Sequence, residues 1–523
     1  MQTFSPARVL KVFLMAALIA STARAQTLAR PGWAGSGMAT EPWWQHAVIY
    51  RVVPGAFQDS DGDGKGDLRG VANRMDYLQS LGVDAVLLEE PAADVAGDTG
   101  FDDLISAAGR QHLRVLMLLE DGGNSATQPD SKLVALARLW LTRGASGIYL
   151  ESKRSAAEVA PLLHQLRVVT DSFAGQRVLL AATATNPAPS TIHSILIDEA
   201  QPAVRVAKTK QTSGAQAGAQ LVEVPLELTN ATAKTIRAAL NGVNNSSIAG
   251  TSGFFLSEQL FSAQALLDPA NVASLDGRRR AFALVLLASR GAAALRYGQE
   301  IGMLPTVPSQ AAPVPLMQWT PSNVAPVKKV EAAPVATKAP TEEYGTFHPY
   351  VPPPKMDTPR PRMPEVAPGG APPPVDPDSL TGFTTAETLP ASAVAPLDAK
   401  AINVAHEDPD PNSLLNLYRR LIQLHHDNPT LRSGVEVLLD YDDLGAVVWV
   451  RQPGRGSSTA IVAVCNLSGA PLHLSLNQEL ARQHVHTGSL RNLLSTVATQ
   501  DSVQSTDNLT LPPYGVFLGE LYH

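Results

Sequence analysis

Between Asp59 and Asp67 the chain reads Asp-Ser-Asp-Gly-Asp-Gly-Lys-Gly-Asp, with acids at alternate positions and glycines between them. Alternate carboxylates in a loop that glycine lets turn tightly can converge several oxygens on one hard cation. An EF-hand opens in the same way, but it requires Glu at its twelfth position, where Gly70 stands. The bland alternative is an acidic solvated turn. A second set of acids, Glu120, Asp121, Glu151 and Glu258, falls near the C-terminal ends of apolar runs that read as strands. In a barrel of parallel strands that end carries the chemistry; exposed loop acids are the bland reading of Glu120, Asp121 and Glu258. His425 and His426 are adjacent on a predicted helix, point to different faces and are poorly placed to share a metal. A single cysteine, Cys465, excludes an internal disulfide framework and any Cys-based zinc site.

The elements that position these groups alternate. Ala47 to Val53, Ala85 to Leu88, Val115 to Leu119, Gly147 to Leu150, Arg177 to Ala182, Ser194 to Ile197, Gly253 to Leu256 and Ala294 to Tyr297 read as strands. Helical spacing separates most of them, over Val71 to Leu81, Phe101 to His112, Lys132 to Arg143, Glu158 to Thr170, Thr232 to Leu240 and Arg278 to Ala288. Strands alternating with helices predict βαβ units, and eight of them predict a closed (β/α)8 TIM barrel over residues 26–323.

Between Val324 and Leu380 the regularity stops. Fifteen of the 41 prolines fall in these 57 residues, which predicts an extended insertion, either a solvated spacer or a ligand for a protein partner. Residues 381–433 return to the barrel through an amphipathic helix from Ser413 to His426. Residues 434–523 then carry short β-like runs, read as a C-terminal all-β sandwich. At the other end, Arg8 and Lys11 precede an apolar run of about nine residues and Ala23-Arg24-Ala25, the pattern of a cleaved leader. About 20 apolar residues would be needed to span a bilayer. The expectation is a periplasmic or secreted protein, cut near Ala25, without a membrane span. With 41 basic against 48 acidic residues and a formal charge of −7, no basic stripe is available for nucleic acid. Asn-x-Ser/Thr sequons begin at Asn230, Asn245, Asn466 and Asn508.

The stretch Trp43 to Pro91, with its YRVVPGAFQDSDGDGKGDLRG core, resembles the opening of the α-amylase family of glycoside hydrolases, and within it the α-glucosidase, oligo-1,6-glucosidase and trehalose synthase group. Ala294 to Met303 (ALRYGQEIGM), Pro315 to Thr320 (PLMQWT) and the helix following Asp410 extend the resemblance. It implies a (β/α)8 barrel followed by a β-sandwich, and an α-glucan or oligosaccharide as the ligand. It also implies a structural Ca2+ held by Asp59, Asp61, Asp63, Asp67 and the carbonyl of Lys65. Trp43, Trp44, Trp140, Trp319 and Trp449 could stack on sugar rings, but most lie inside apolar runs and read as core.

The catalytic positions depart from the family's pattern. Its strand-four Gly-Phe-Arg-Leu-Asp is here Gly147-Ile148-Tyr149-Leu150-Glu151, so Glu151 is the only remnant, at the nucleophile position. The strand-five Glu falls on Ala182, and the strand-seven Asn-His-Asp on Glu258-Gln259-Leu260. The strand-three Asp-x-x-x-Asn-His becomes Leu118-Leu119-Glu120-Asp121-Gly122-Gly123. A retaining mechanism needs two carboxyls about 5–5.5 Å apart, and Ala182 removes one. On these residues the expected protein is an exported, catalytically silent superfamily member that binds carbohydrate or acts as a scaffold. An α-glucosidase or transglycosylase with rearranged residues is the first alternative. A structural envelope protein that recruits a partner through its proline-rich insertion is the second.

Overall fold

The computed structural model describes residues 42–89, 100–121, 130–183, 219–227, 232–245, 253–259, 269–303, 315–321, 381–386, 401–453, 459–485, 488–496 and 503–522. The leader, the predicted strand Ser194 to Ile197 and the proline-rich stretch from Val324 to Leu380 lie outside them.

Eight parallel strands close into a barrel in chain order. They are β1 (Val48–Val52), β2 (Ala85–Leu88), β3 (Arg114–Asp121), β4 (Gly147–Ser152), β5 (Val178–Thr183), β6 (Leu221–Glu227), β7 (Gly253–Gln259) and β8 (Ala292–Arg296). The period of two expected of a strand divides their side chains between two cores. Val48, Tyr50 and Val52, Val86 and Leu88, Ile148 and Leu150 pack outward under the helices. Ile49, Leu87, Leu116, Leu118, Tyr149, Val178, Leu180, Leu221, Ala292 and Ala294 fill the barrel interior, with Trp44 beneath them.

Three of the differences from the sequence expectation are informative. The sixth strand is Leu221–Glu227, outside the expected set, and it carries Pro225, a residue that argues against a central strand. β5 pairs with β6 only at Leu221 and Val222, so Pro225 lies beyond that ladder. The helix expected over Val71 to Leu81 is two, Leu68–Asn73 and Met75–Leu81. The break falls at Arg74, whose guanidinium stacks on Trp319 at 4.1 Å and donates from Nε to Gln58 at 2.7 Å. β4 runs on to Ser152, which places Glu151 within the strand.

The C-terminal domain adds a six-stranded sheet of β9 (Val435–Leu439), β10 (Ala446–Gln452), β11 (Ile461–Asn466), β13 (Ser489–Ser495), β14 (Val503–Ser505) and β16 (Val516–Tyr522). β12 (Leu472–Leu474) and β15 (Leu509–Leu511) pair as a second sheet. Val448, Val450, Val462 and Phe517 face that second sheet. On the opposite face Val447, Trp449, Ala463 and Cys465 share one core with Phe282 and its neighbours on the barrel helix Pro269–Ala288. Asn466 is fully buried, donating from Nδ2 to the carbonyls of Ala470 and Pro512, so its sequon is not an accessible one.

Candidate active site

The inward phase of each strand, carried one step past the apolar layer, brings a polar ring to the C-terminal mouth of the barrel. It comprises Arg51 from β1, Glu89 just after β2, Glu120 from β3, Glu151 from β4, Ala182 from β5, Glu223 from β6, Ser257 from β7 and Arg296 from β8. This is the end at which barrels do chemistry. Four carboxylates face two guanidiniums, which leaves the ring negative.

Arg51 organises it. Its Nε donates to Glu89 Oε1 at 2.6 Å and its Nη1 to Glu223 Oε1 at 2.6 Å. Both carboxylates are about nine-tenths buried, with side chains 9% and 10% exposed. The guanidinium also lies 5.4 Å from the centre of the Tyr149 ring. Glu223 further accepts from Ser257 Oγ at 2.6 Å and from the Tyr149 hydroxyl. Burial, and then the Glu223 charge, push the Tyr149 phenol up, so it stays a neutral donor. Arg296 approaches Glu89 at 3.5 Å.

Glu151 pairs in register with Glu120 on one side and Ala182 on the other. Loss of water in the crowded ring raises its carboxyl above the ordinary range. Arg51 opposes that shift, and the charges of Glu223, Glu120 and Glu89 add to it. A carboxyl whose pKa is raised by its surroundings can serve as a proton donor.

Of the acids nominated from sequence, Glu120 and Glu151 reach this ring. Asp121 does not: its buried carboxylate accepts from Ser152 Oγ at 2.6 Å and Arg154 Nε at 2.5 Å, bracing β3 against the end of β4. The side chains of Glu258 and Gln259, and all of Leu260, lie outside the described residues. Sequence reasoning missed Arg51, Glu89, Glu223 and Ser257. The signal was present in the alternation Ile49-Arg51 and Leu221-Glu223, where a charge follows an apolar inward position.

The other candidates are structural. The His425 ring nitrogens face the carbonyls of Leu287 and His46 at 2.8 and 3.0 Å, and burial pushes its pKa down to about 4. His426 meets Asp84 at 2.9 Å. Trp44, Trp140, Trp319 and Trp449 are buried, and Trp43 packs edge-on against Trp44 before β1, away from the mouth. Gln299 and Glu300 of the ALRYGQEIGM segment act as braces. Gln299 donates to the Tyr418 hydroxyl at 3.0 Å, and Glu300 accepts from Tyr50 and Tyr77, each at 2.7 Å.

In the stretch that follows β1, the aspartate loop gathers carboxylate oxygens of Asp59, Asp61 and Asp67 within 4.8 Å of one another. Ligands at about 2.4 Å on opposite sides of a calcium ion would be about 4.8 Å apart, so this donor set fits a hard cation. The Asp63 carboxylate stands apart from the three and accepts the Lys65 N–H at 2.7 Å. The loop is tightly seated, since a Cβ at Gly70 would lie 1.8 Å from the Gln58 carbonyl oxygen.

Residues 51–103 match the family described as alpha amylase, catalytic domain. An α-glucosidase of Pediococcus pentosaceus is 36% identical over 112 residues, covering 18% of this chain and 20% of the relative. A trehalose-6-phosphate hydrolase of Escherichia coli is 50% identical over 60 residues, covering 12% of this chain and 11% of the relative. The matching stretches thus span a fifth or less of these relatives. Among solved structures, a trehalulose synthase of Pseudomonas mesoacidophila superposes with a TM-score of 0.62 at 15% identity, over 92% of this chain and 100% of that one. The trehalose-6-phosphate hydrolase of Bacillus licheniformis gives 0.62 at 13%, with the same coverage. The fold is therefore a (β/α)8 barrel with a C-terminal all-β domain, and residues 51–103 at the opening of that barrel are similar to the α-amylase catalytic domain.

Proposed function

We propose that this chain acts on α-glucosides as a hydrolase or transglycosylase whose reacting groups have moved around the barrel mouth. The observation that carries the reading is Glu151, a carboxyl of raised pKa inside a ring that also holds the arginine-bound Glu223. Glu151 would protonate the leaving glycosidic oxygen. Glu223, held by Arg51, Tyr149 and Ser257, would stabilise the positive charge that develops on the sugar. Arg51 would replace, from β1, the cation that Tyr149 removes from β4. The curated relatives are named as glucosidases and a trehalose-6-phosphate hydrolase, which favours turnover over silence.

One observation favours a non-catalytic, carbohydrate-binding role instead. Ala182 places a methyl group where β5 contributes to the ring, and Glu223 already accepts three hydrogen bonds. The mature protein should be incubated with maltose, isomaltose, trehalose and soluble starch. Release of glucose from at least one, lost in Glu151→Gln, supports the enzyme. Saturable binding of a glucan without release supports the second role.

We also propose that Asp59, Asp61 and Asp67, joined on binding by Asp63 and the Lys65 carbonyl, hold a structural Ca2+. The ion would pin the loop that follows β1. Export behind the leader, and contact with a partner through the proline-rich stretch, complete the proposal. No helix among the described residues is long and apolar enough to cross a membrane.

A further inference from the structure

The chain on the two sides of residues 322–380 comes together at one place. Trp319 and Thr320 both donate their N–H to the carbonyl of Thr381, at 2.8 and 2.9 Å, and the Thr381 hydroxyl reaches the Met317 carbonyl at 3.3 Å. The same short segment then runs against the aspartate loop. The Phe383 carbonyl accepts from Asp59 N–H at 3.0 Å and from Gln58 Nε2 at 2.6 Å. Next to it the Thr384 hydroxyl donates to Asp59 Oδ2. Thr384 is 2% exposed and Asp59 7%, so water does not compete for this bond. A Cβ on Gly62 would lie 3.0 Å from the Thr385 hydroxyl, so the loop and the segment lie in close contact there.

Among the described residues, the other donors to the Asp59 carboxylate belong to its own loop. Oδ1 accepts from the N–H of Asp61 and Gly62, and Oδ2 from that of Gly64. Those bonds move with the loop. Thr384, 325 positions away in the chain, is the side chain that fixes the carboxylate relative to the rest of the fold. Groups that orient a metal ligand from behind commonly change affinity by 10–100-fold when removed.

We propose that Thr384 is a positioning residue of the Asp59–Asp67 cation site, and that a cation bound there fastens the joined flanks of the proline-rich stretch to the barrel. The inference rests on the calcium reading of the loop. Linkage makes the effect reciprocal: whatever affinity Thr384 adds for the ion, the ion adds to the hold on Thr384. The loop would then set how firmly the base of the insertion is anchored.

The test uses the full mature chain and calcium alone as the probe. Calorimetric titration should show wild type binding calcium about tenfold more tightly than Thr384→Val, which keeps the shape and loses the hydroxyl. Thr384→Ser should restore most of the affinity. Amide hydrogen exchange over residues 381–386 should slow when calcium is added to wild type, and slow less in Thr384→Val. Equal affinity and equal protection in the two proteins would overturn the role of Thr384 while leaving the calcium site standing. No calcium binding by wild type would overturn both. If Thr384→Val does not fold, wild-type exchange decides: identical rates with calcium and with chelator overturn the coupling.

Discussion

Arg51 on β1 donates from Nη1 to Oε1 of Glu223 on β6 at 2.6 Å, joining two strands that share no ladder in the barrel. The bond crosses the mouth above the apolar layer, and the same guanidinium holds Glu89. A charge in so enclosed a place persists only because it is paired on two sides.

Removing that arginine should therefore be severe. Arg51→Met leaves Glu89 and Glu223 without their shared cation and should cost about 3–5 kcal/mol in urea unfolding. Adding Glu223→Gln to Arg51→Met should recover part of the loss, because one orphaned charge is gone. A double variant no more stable than Arg51→Met would mean that Glu223 is not held mainly by Arg51.

Glu151 predicts a pH dependence with a definite sign. Its folded carboxyl is raised, so the stability it contributes is present below its unfolded pKa and is lost as pH rises through the folded value. Glu151→Gln should accordingly gain on wild type in melting temperature as pH is raised from acid to neutral. If Glu151 is the proton donor, turnover should fall over the same window. Parallel melting curves for the two proteins at all pH values would refute the shift.

Glu407 gives a second window. Burial, with the charge of Glu300 behind it, raises its carboxyl from 4.5 to about 7, while its Oε2 accepts the Leu415 N–H at 3.0 Å. Wild type should lose stability between about pH 4.5 and 7. Glu407→Gln keeps an acceptor for Leu415 and should flatten that slope. A slope unchanged in the variant would assign it to another group.

At the junction of the two domains, Arg451 is fully buried and donates to the carbonyls of Ala288 and Gly434, both at 3.0 Å. Trp449 Nε1 shares the Ala288 oxygen at 3.2 Å, so the end of the helix Pro269–Ala288 is capped from the sheet. Arg451→Met should cost about 2–3 kcal/mol. Arg451→Lys should recover less than half, since a point charge cannot serve two separate acceptors as a fork does. Full recovery in the lysine variant would show that charge alone matters.

For the aspartate loop, calcium at about 100 times its dissociation constant should add about 2.7 kcal/mol to unfolding. Asp61→Ala should abolish that response in thermal melts, and Asp63→Ala should weaken it less, because Asp63 stands outside the gathered oxygens. The reverse order of effects would mean that the loop rearranges on binding.

Much of the scaffold was readable from residues because its signals are local. Short, mostly apolar runs over Val48–Val52 and Ala85–Leu88 mark strands buried on both faces, and helical spacing through Leu414, Leu417 and Leu421 reports the buried face of its helix. The aspartate loop was legible for the same reason, its donors lying within nine consecutive residues. β6 was not, because Pro225 suppresses the local signal and only its place between β5 and β7 overrides that. β13 to β16 were also passed over, as runs of three to seven residues whose burial comes from a distant partner sheet.

The sequence by itself determined the class of fold, the run of aspartates from Asp59 to Asp67, and the presence of Tyr149 and Ala182 at inward places on the barrel strands. These are statements about which residue occupies a numbered place, and they need no partner. Tertiary structure alone decided that Arg51 pairs with Glu223, that Glu223 joins Glu151 at one mouth, and that Asp121 is held by Arg154. It also brought Thr384 to Asp59. Each of these pairs residues 33 to 325 positions apart or on strands that are not neighbours in the chain. Closing a sheet into a barrel makes such residues neighbours, and no local pattern encodes which inward side chains will meet there.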